Sequence, residues 1–324
     1  MPTLEAAPQA KFSLTSEQRE QFEREGYLVV DNIFDDAILQ PVIEEIKVEV
    51  DERADALVKQ GKLSQSYADA PFETRLGLIS KETMDLAFSI WNGNLCGPAF
   101  FNLIRCARLL DIAESFCGPE LIASSVYRLR PKVPGHAYGA VPWHQDSGYM
   151  EPFCDKAMVL TVWLPLVDAT RENGCMWVIP RAHKTGQVVK HGTREGKPYL
   201  IIPDEALPQT APPVCVPVKK YGALFLHNLT PHASFSNDTE TVRWSMDLRY
   251  QSAALPTNAK ITRLPGESIP TVENGAPIAC YPPEADFLVR SPARPSEVVR
   301  DAARFQALRK EHQHRGMTGR WGKL

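Results

Sequence analysis

The segment Trp143-His144-Gln145-Asp146 carries the residues best suited to chemistry. In an extended strand, side chains two residues apart project from the same face. His144 and Asp146 are therefore expected to converge on one ion. Imidazole and carboxylate, completed by a distant third ligand, form the two-histidine-one-carboxylate pattern of a non-haem Fe(II) site. Three ligands on one face leave open positions for a chelating cosubstrate and for oxygen. A bare His-x-Asp pair also occurs on surfaces and in hydrogen-bonded turns, so the third ligand carries the weight.

His183, His191, His227 and His232 are the candidates for it. His232 stands out because of the residues on its C-terminal side. If residues 237–240 turn a hairpin, Ser234 faces Arg243 across the ladder, on the side of His232. A guanidinium is the natural bidentate partner of a carboxylate. A small keto-diacid would then chelate the metal at one end and meet Arg243 and Ser234 at the other; 2-oxoglutarate is that molecule. His227 has an odd offset from His232, with Pro231 between, and reads as a core or loop histidine. His183 reads as a turn histidine. His136 lies in the loop before the metal segment, as plain loop or as the rim of the site. Arg128, Arg130 and Lys132 alternate on one strand, as a solvated face or as contacts to an anionic substrate. Tyr149, Met150 and Phe153 would line a pocket or fill the barrel mouth. Asp247 and Arg249 share the strand parity of Arg243, as a structural ion pair or a second substrate anchor.

The elements that must position these residues change character near residue 121. Before it the pattern is helical. Thr15 and Gln18 form a capping box, Gly26 stops the helix behind it, and 27–30 is a short strand. Asp35-Asp36 cap a long helix with Leu39, Val42, Ile43, Ile46, Val50, Ala54, Leu57 and Val58 on its apolar side. Residues 61–100 read as irregular, with a helix near 81–88, and Asn102 is expected to cap a helix reaching Phe116. After residue 121, short β-rich runs at 123–130, 159–167, 175–179, 223–226, 232–236 and 241–250 alternate with turn signals, which indicates a sandwich or barrel. The proline-rich insert 198–218 should be an extended loop covering the site. The reading is a flexible leader over 1–13, one domain over 14–311 and a tail over 312–324. The domain divides into a helical part (14–120), a jelly-roll core (about 121–255) and a C-terminal extension (256–311) whose helix spans about 296–310.

The ordered set Trp143-His144-Gln145-Asp146, Val162-Trp163-Leu164-Pro165-Leu166, Asn173-Gly174-Cys175-Met176 running to Ile179-Pro180-Arg181-Ala182-His183, and His232-x-Ser234 with Arg243 resembles the phytanoyl-CoA dioxygenase family. The resemblance spans roughly residues 17–309. It implies a mainly β fold with α additions: a double-stranded β-helix (jelly-roll, cupin-like) core flanked by helices. It implies Fe(II), 2-oxoglutarate and O2, with His144, Asp146 and His232 as metal ligands and catalytic centre. Arg243 and Ser234 would hold the distal carboxylate, with Gln145 and Trp163 lining the same pocket. Arg130, His136, Tyr149 and Arg249 stand as substrate contacts. The implied reaction is hydroxylation of an aliphatic C–H in a small molecule, releasing succinate and CO2; desaturation or cyclisation would use the same constellation. Asp146 separates the chain from related halogenases, which lack this carboxylate. Two positions depart from the commoner pattern: Pro-Arg-Ala-His stands in place of Pro-Gly-Ser-His, and Arg130 lies near where many members carry lysine. The readings set against this one are a cupin-like oxygenase or isomerase not using 2-oxoglutarate, and a non-catalytic binding module.

The composition is that of an ordinary globular chain: 44% hydrophobic, 23% charged and a net charge of −3 over 324 residues. That charge gives no support to a nucleic-acid partner, and no stretch is apolar enough to span a membrane. The expected partner is a small-molecule substrate, for a monomer or homodimer. The seven cysteines are odd in number and lack a Cys-x-x-Cys pair, which suits a reducing cytoplasm rather than a disulfide framework. The basic cluster from Arg309 to Lys323 reads as a solvated terminus. The final Gly-Lys-Leu approaches the peroxisomal Ser-Lys-Leu address without its first residue.

Overall fold

Strand β12 (Arg243–Ser252) shows how the sequence divides the molecule into layers. Trp244, Met246, Leu248 and Tyr250 alternate with Arg243, Ser245, Asp247 and Arg249, and all eight are buried. The apolar set joins the large core beneath the helices, and the polar set faces the cavity on the other side. Neighbouring strands repeat this alternation. In β5 (Val159–Pro165), Leu160, Val162 and Leu164 join the helix-side core; in β10 (Ala223–His227), Ala223 and Phe225 do the same. Trp163, Leu224 and Leu226 instead join a smaller apolar cluster with Cys175, Met176 and Val178.

The structure is a computed structural model that describes residues 11–93, 95–124, 127–150, 155, 157–195, 199–255, 286–311 and 320–324. Its larger sheet has the order β1 (Tyr27–Val30), β10, β5, β12, β2 (Leu121–Ser124) and β13 (Asp286–Arg290), with β3 (Arg128–Lys132) also pairing with β12. The smaller sheet runs β4 (Val141–His144), β11 (His232–Ser234), β6 (Met176–Val178) and β9 (Val214–Val216). Every pairing between the described strands is antiparallel. A separate pair, β7 (Gly192–Thr193) and β8 (Leu200–Ile201), completes the strands. Two such sheets enclosing a polar cavity make the expected jelly roll.

The outer layer is more helical than the sequence suggests. Helix α1 (Ser16–Glu25) has the expected capping box: the Gln18 N–H donates to Thr15 Oγ1 at 3.1 Å, and the Thr15 N–H donates to Gln18 Oε1 at 2.9 Å. Helix α2 (Asp36–Lys59) buries the predicted stripe from Leu39 to Leu57. Residues 61–100, expected to be irregular apart from a helix near 81–88, hold α3 (Phe72–Glu82), α4 (Asp85–Trp91) and the start of α5 (Pro98–Ile104). Gly77 and the buried Arg75 obscure the periodicity of α3; Arg75 is satisfied by Asp51 and by the Ser66 carbonyl. Asn102 lies inside α5 rather than capping a helix, because the chain breaks at Arg105-Cys106 before α6 (Ala107–Cys117). The insert is not wholly loop: Val214–Val216 extends the smaller sheet, and the Ile202 N–H donates to the Trp143 carbonyl over the metal segment. The C-terminal helix α7 (Ala302–Glu311) starts later than expected. The stretch 256–285, part of the C-terminal extension reading, lies outside the described residues, as does the leader 1–10.

The basic C-terminal cluster is not simply solvated. Arg309 is buried, with its guanidinium 5.3 Å from the Tyr127 ring centroid. Arg320 pairs with Asp155, and the Trp321 indole donates to the Gly148 carbonyl at 2.7 Å. Residues 320–324 thus brace the turn that carries Asp146.

Two turns explain local choices. Arg181 adopts φ +67°, a left-handed conformation at the place where the commoner motif has glycine. Gly26 adopts φ +81° at the end of α1, where a Cβ would sit 2.3 Å from His183 Nδ1 and 2.5 Å from Thr230 Oγ1. Gly26→Ala is expected to destabilise the fold by about 2–5 kcal/mol, combining left-handed strain with overpacking. The measurement is a fall in denaturant midpoint at constant slope; an unchanged midpoint would contradict this packing.

Candidate metal and cosubstrate site

His144 and His232 are cross-strand partners in β4 and β11, with ring centroids 4.2 Å apart. Strand β4 ends at His144, and Asp146 begins a 3-10 turn, Asp146–Tyr149, rather than continuing the strand. Gln145 between them is extended, so Asp146 still comes round to the histidines. Asp146 Oδ1 lies 3.9 Å from His144 Nε2 and 3.8 Å from His232 Nε2. One ligand atom from each of the three residues falls within 4.8 Å of the others, and all three residues are buried.

Backbone carbonyls orient both rings. His144 Nδ1–H donates to the Pro142 carbonyl at 2.8 Å, and His232 Nδ1–H donates to the Thr230 carbonyl at 3.0 Å. That arrangement leaves each Nε2 as the lone-pair nitrogen a metal requires. Burial, reinforced by the adjacent His232, pushes His144 well below its ordinary value and keeps its ring neutral. Burial alone would raise the Asp146 carboxyl. Arg249 overcomes this, with help from the Thr161 hydroxyl, and holds it well below the usual range. Thr161 donates to Asp146 Oδ2, and Arg249 Nη2 donates to Oδ1 at 3.3 Å. Two imidazoles presenting Nε2, an ionised carboxylate and the resulting N2O donor set fit Fe(II) with open coordination positions.

The cavity beside the triad is lined from both sheets, by Arg130, Trp163, Ser234, Arg243, Asp247 and Arg249 among others. Arg243 is 1% exposed, and its guanidinium carbon lies 5.2 Å from the Trp163 ring centroid. Its Nη1 donates to Ser245 Oγ at 2.6 Å, while its buried Nε has no hydrogen-bond partner. No carboxylate pairs with it among the described residues. Burial and the charge of Arg130 lower its value to about 9. A desolvated cation of this kind is costly unless an anion joins it.

The expected hairpin is absent. Strands β11 and β12 belong to different sheets, and the register partner of Arg243 is Lys132, not Ser234. Residues 235–242 form a corner tied by Asn237, whose side-chain amide donates to the Lys132 and Thr241 carbonyls. Ser234 and Arg243 meet across the cavity instead of along one ladder. Lys132, read from sequence as a solvated or substrate-facing position, is 0% exposed and donates to Ser234 Oγ and to the Phe235 carbonyl. Burial, then Arg243 and Arg130, lower its amine to about 6. Thr161 joins the site without having been expected from sequence; its one signal is a lone hydroxyl in the otherwise apolar strand Val159–Pro165.

The other expected residues separate into groups. Gln145 does not line the cavity: its amide donates to the Gln187 and Leu229 carbonyls and its oxygen accepts from Val189 N–H, so it braces loops behind the metal segment. Tyr149 packs edge-on against His144, and its hydroxyl accepts from Leu200 N–H. His136 packs edge-on against Phe88 and is not among the cavity-lining residues. His183, His191 and His227 lie outside the triad. His191 receives the Gln145 N–H, while His227 and His183 pack against each other.

A double-stranded β-helix holding this triad beside an anion-seeking arginine defines the class: a non-haem iron, 2-oxoglutarate-dependent dioxygenase. The chain belongs to the phytanoyl-CoA dioxygenase family, whose profile it matches over residues 22–245. It is 25% identical over 248 residues to the peroxisomal phytanoyl-CoA dioxygenase of Homo sapiens, covering 74% of this chain and 69% of that protein. It is 24% identical over 247 residues to a probable phytanoyl-CoA dioxygenase of Caenorhabditis elegans, covering 73% and 75%. Among solved structures, the non-haem monooxygenase ThoJ in its apo form shares the fold, with a TM-score of 0.51 at 18% identity, covering 90% of this chain and 95% of that one.

Proposed function

We propose that His144, Asp146 and His232 hold Fe(II), and that Arg243, Ser234 and Trp163, with Lys132 behind them, hold the distal carboxylate of 2-oxoglutarate. The reaction is hydroxylation of an aliphatic C–H in a small organic substrate, with O2 consumed and succinate and CO2 released. The observation that carries this reading is the buried, carboxylate-free guanidinium of Arg243 opening on the same cavity as the triad. When bound, the iron and its keto-acid cosubstrate supply the oxidising chemistry. The chain's own residues supply orientation. Arg243 and Ser234 fix the far end of the keto-diacid, and the Trp163 ring walls that end from water. Thr161 and Arg249 hold the Asp146 carboxylate against rotation, and Tyr149 supports the His144 ring. A cupin reading without 2-oxoglutarate leaves the buried charge of Arg243 unexplained.

Anaerobic addition of 2-oxoglutarate to the Fe(II)-loaded protein is expected to produce a visible charge-transfer band. No band, with iron bound, would overturn the proposal. The binding also has an expected pH signature. The Lys132 amine is largely neutral above about pH 6 before the cosubstrate binds. A carboxylate placed nearby favours its ammonium form, so binding takes up a proton. Affinity should weaken as pH rises from about 6 to 8 and flatten below 6, where the amine is protonated in both states. Calorimetry in buffers of different ionisation enthalpy reads this uptake, and Lys132→Met should abolish it.

No helix among the described residues is long and apolar enough to cross a membrane. Five described cysteines are free, including Cys175 and Cys215 with sulfurs 3.3 Å apart. That supports a reducing compartment, and the reading is a cytoplasmic monomer or homodimer with neither nucleic acid nor membrane as partner. The mammalian relative is named as peroxisomal.

A further inference from the structure

The charges around the cavity do not balance, and the excess can be located. Three guanidiniums line it, from Arg130, Arg243 and Arg249. Two carboxylates answer them, Asp146 and Asp247. Under the proposed function a divalent ion and a doubly charged keto-diacid cancel, which leaves three guanidiniums and the Lys132 ammonium against two carboxylates. Arg249 is enclosed by both carboxylates, at 3.3 Å from Asp146 and 3.0 Å from Asp247, and its side chain is 8% exposed. Arg243 is spent on the cosubstrate. Lys132, which donates to Ser234 Oγ, is spent with Arg243 on the distal carboxylate.

The surplus therefore falls on Arg130. Its Nε donates to Asp247 Oδ1 at 3.1 Å, on the carboxylate that Arg249 already shares. Its guanidinium carbon lies 5.0 Å from the Trp91 ring centroid, which holds the plane in place. Its two terminal nitrogens donate to nothing among the described residues, and its side chain keeps 20% exposure, the most of the three arginines. A guanidinium fixed at Nε and by an aromatic ring, with both Nη groups open, is prepared for a two-point contact with a planar anion.

We propose that Arg130 determines specificity by docking a carboxylate of the substrate, so that the enzyme acts on carboxylate-bearing organic molecules. This inference rests on the proposed function above.

The test uses full-length protein loaded with Mn(II) and 2-oxoglutarate, titrated calorimetrically with benzoate, hexanoate and decanoate and with their neutral carboxamides. At least one carboxylate should bind 10-fold or more tightly than its own amide. Arg130→Gln should erase that preference, Arg130→Lys should retain part of it, and 2-oxoglutarate affinity should change less than twofold in both. Equal binding of acids and amides by the wild type, or no binding of any acid, overturns the proposal without reference to a variant. A large loss of 2-oxoglutarate affinity in Arg130→Gln also overturns it, by assigning the residue to the cosubstrate. Failure of the underlying oxygenase reading looks different: the Mn(II)-loaded wild type would not bind 2-oxoglutarate at all.

Discussion

Replacing Arg243 with methionine should raise the dissociation constant for 2-oxoglutarate by roughly 30- to 4,000-fold, equivalent to about 2–5 kcal/mol for removing one partner of a buried charge pair. The effect should be this large because Arg243 is 1% exposed and has no carboxylate of its own among the described residues. Methionine fills much of the volume and leaves the Trp163 wall intact, so the loss reports the charge. Anaerobic titration of the charge-transfer band measures it directly, and metal affinity without cosubstrate should be unchanged. Arg243→Lys should recover only part of the loss, since an ammonium offers a point charge and not a planar fork. An unaltered 2-oxoglutarate affinity in Arg243→Met would remove the assignment of this pocket to the cosubstrate. The substitution also removes an uncompensated buried cation, so the apoprotein should be no less stable, and its melting temperature provides the control.

His232→Ala should abolish useful metal binding. Loss of a hydrogen-bonding partner of a ligand typically costs about 10- to 100-fold in metal affinity; loss of the ligand itself is expected to exceed that. The donor set falls from three atoms to two, and the remaining His144 and Asp146 cannot hold one face of the coordination sphere. Mn(II) or Fe(II) titration gives the affinity. Near wild-type affinity would show that the ion is held elsewhere. Exogenous imidazole should restore part of the binding, because the substitution leaves space beside Asp146 Oδ1, 3.8 Å from the original Nε2. Asp146→Ala is a less clean probe. It would leave Arg249, which donates to that carboxylate at 3.3 Å, with Asp247 alone, beside a site with one anion fewer.

Much of the site is readable from residue types and spacing. His144 and Asp146 stand two apart in an extended segment, a local relation that survives even though the strand ends between them. The polar parity of Arg243, Ser245, Asp247 and Arg249 against apolar neighbours marks an inner face of β12 whatever its partners. The expected hairpin brought Ser234 and Arg243 together through the wrong geometry. Ser234 and Arg243 share a cavity because two sheets face each other, and a short separation in sequence cannot distinguish a hairpin from a corner that crosses between sheets. The helix at 72–82 escapes a sequence reading because Gly77 and the buried Arg75 interrupt a pattern that tertiary packing completes.

By itself, the sequence determined the residue types of the candidate metal triad, the arginine proposed for the diacid and the alternating strands that present them, because each depends on side-chain chemistry or on a period of two. Only the tertiary structure decided which polar groups balance which. It turned Gln145 away from the cavity, buried Lys132 against Ser234, tied Arg249 to Asp146 and left the terminal nitrogens of Arg130 open. Charge compensation in a buried site depends on distances between strands far apart in the chain, and those distances exist only once the two sheets have closed on each other.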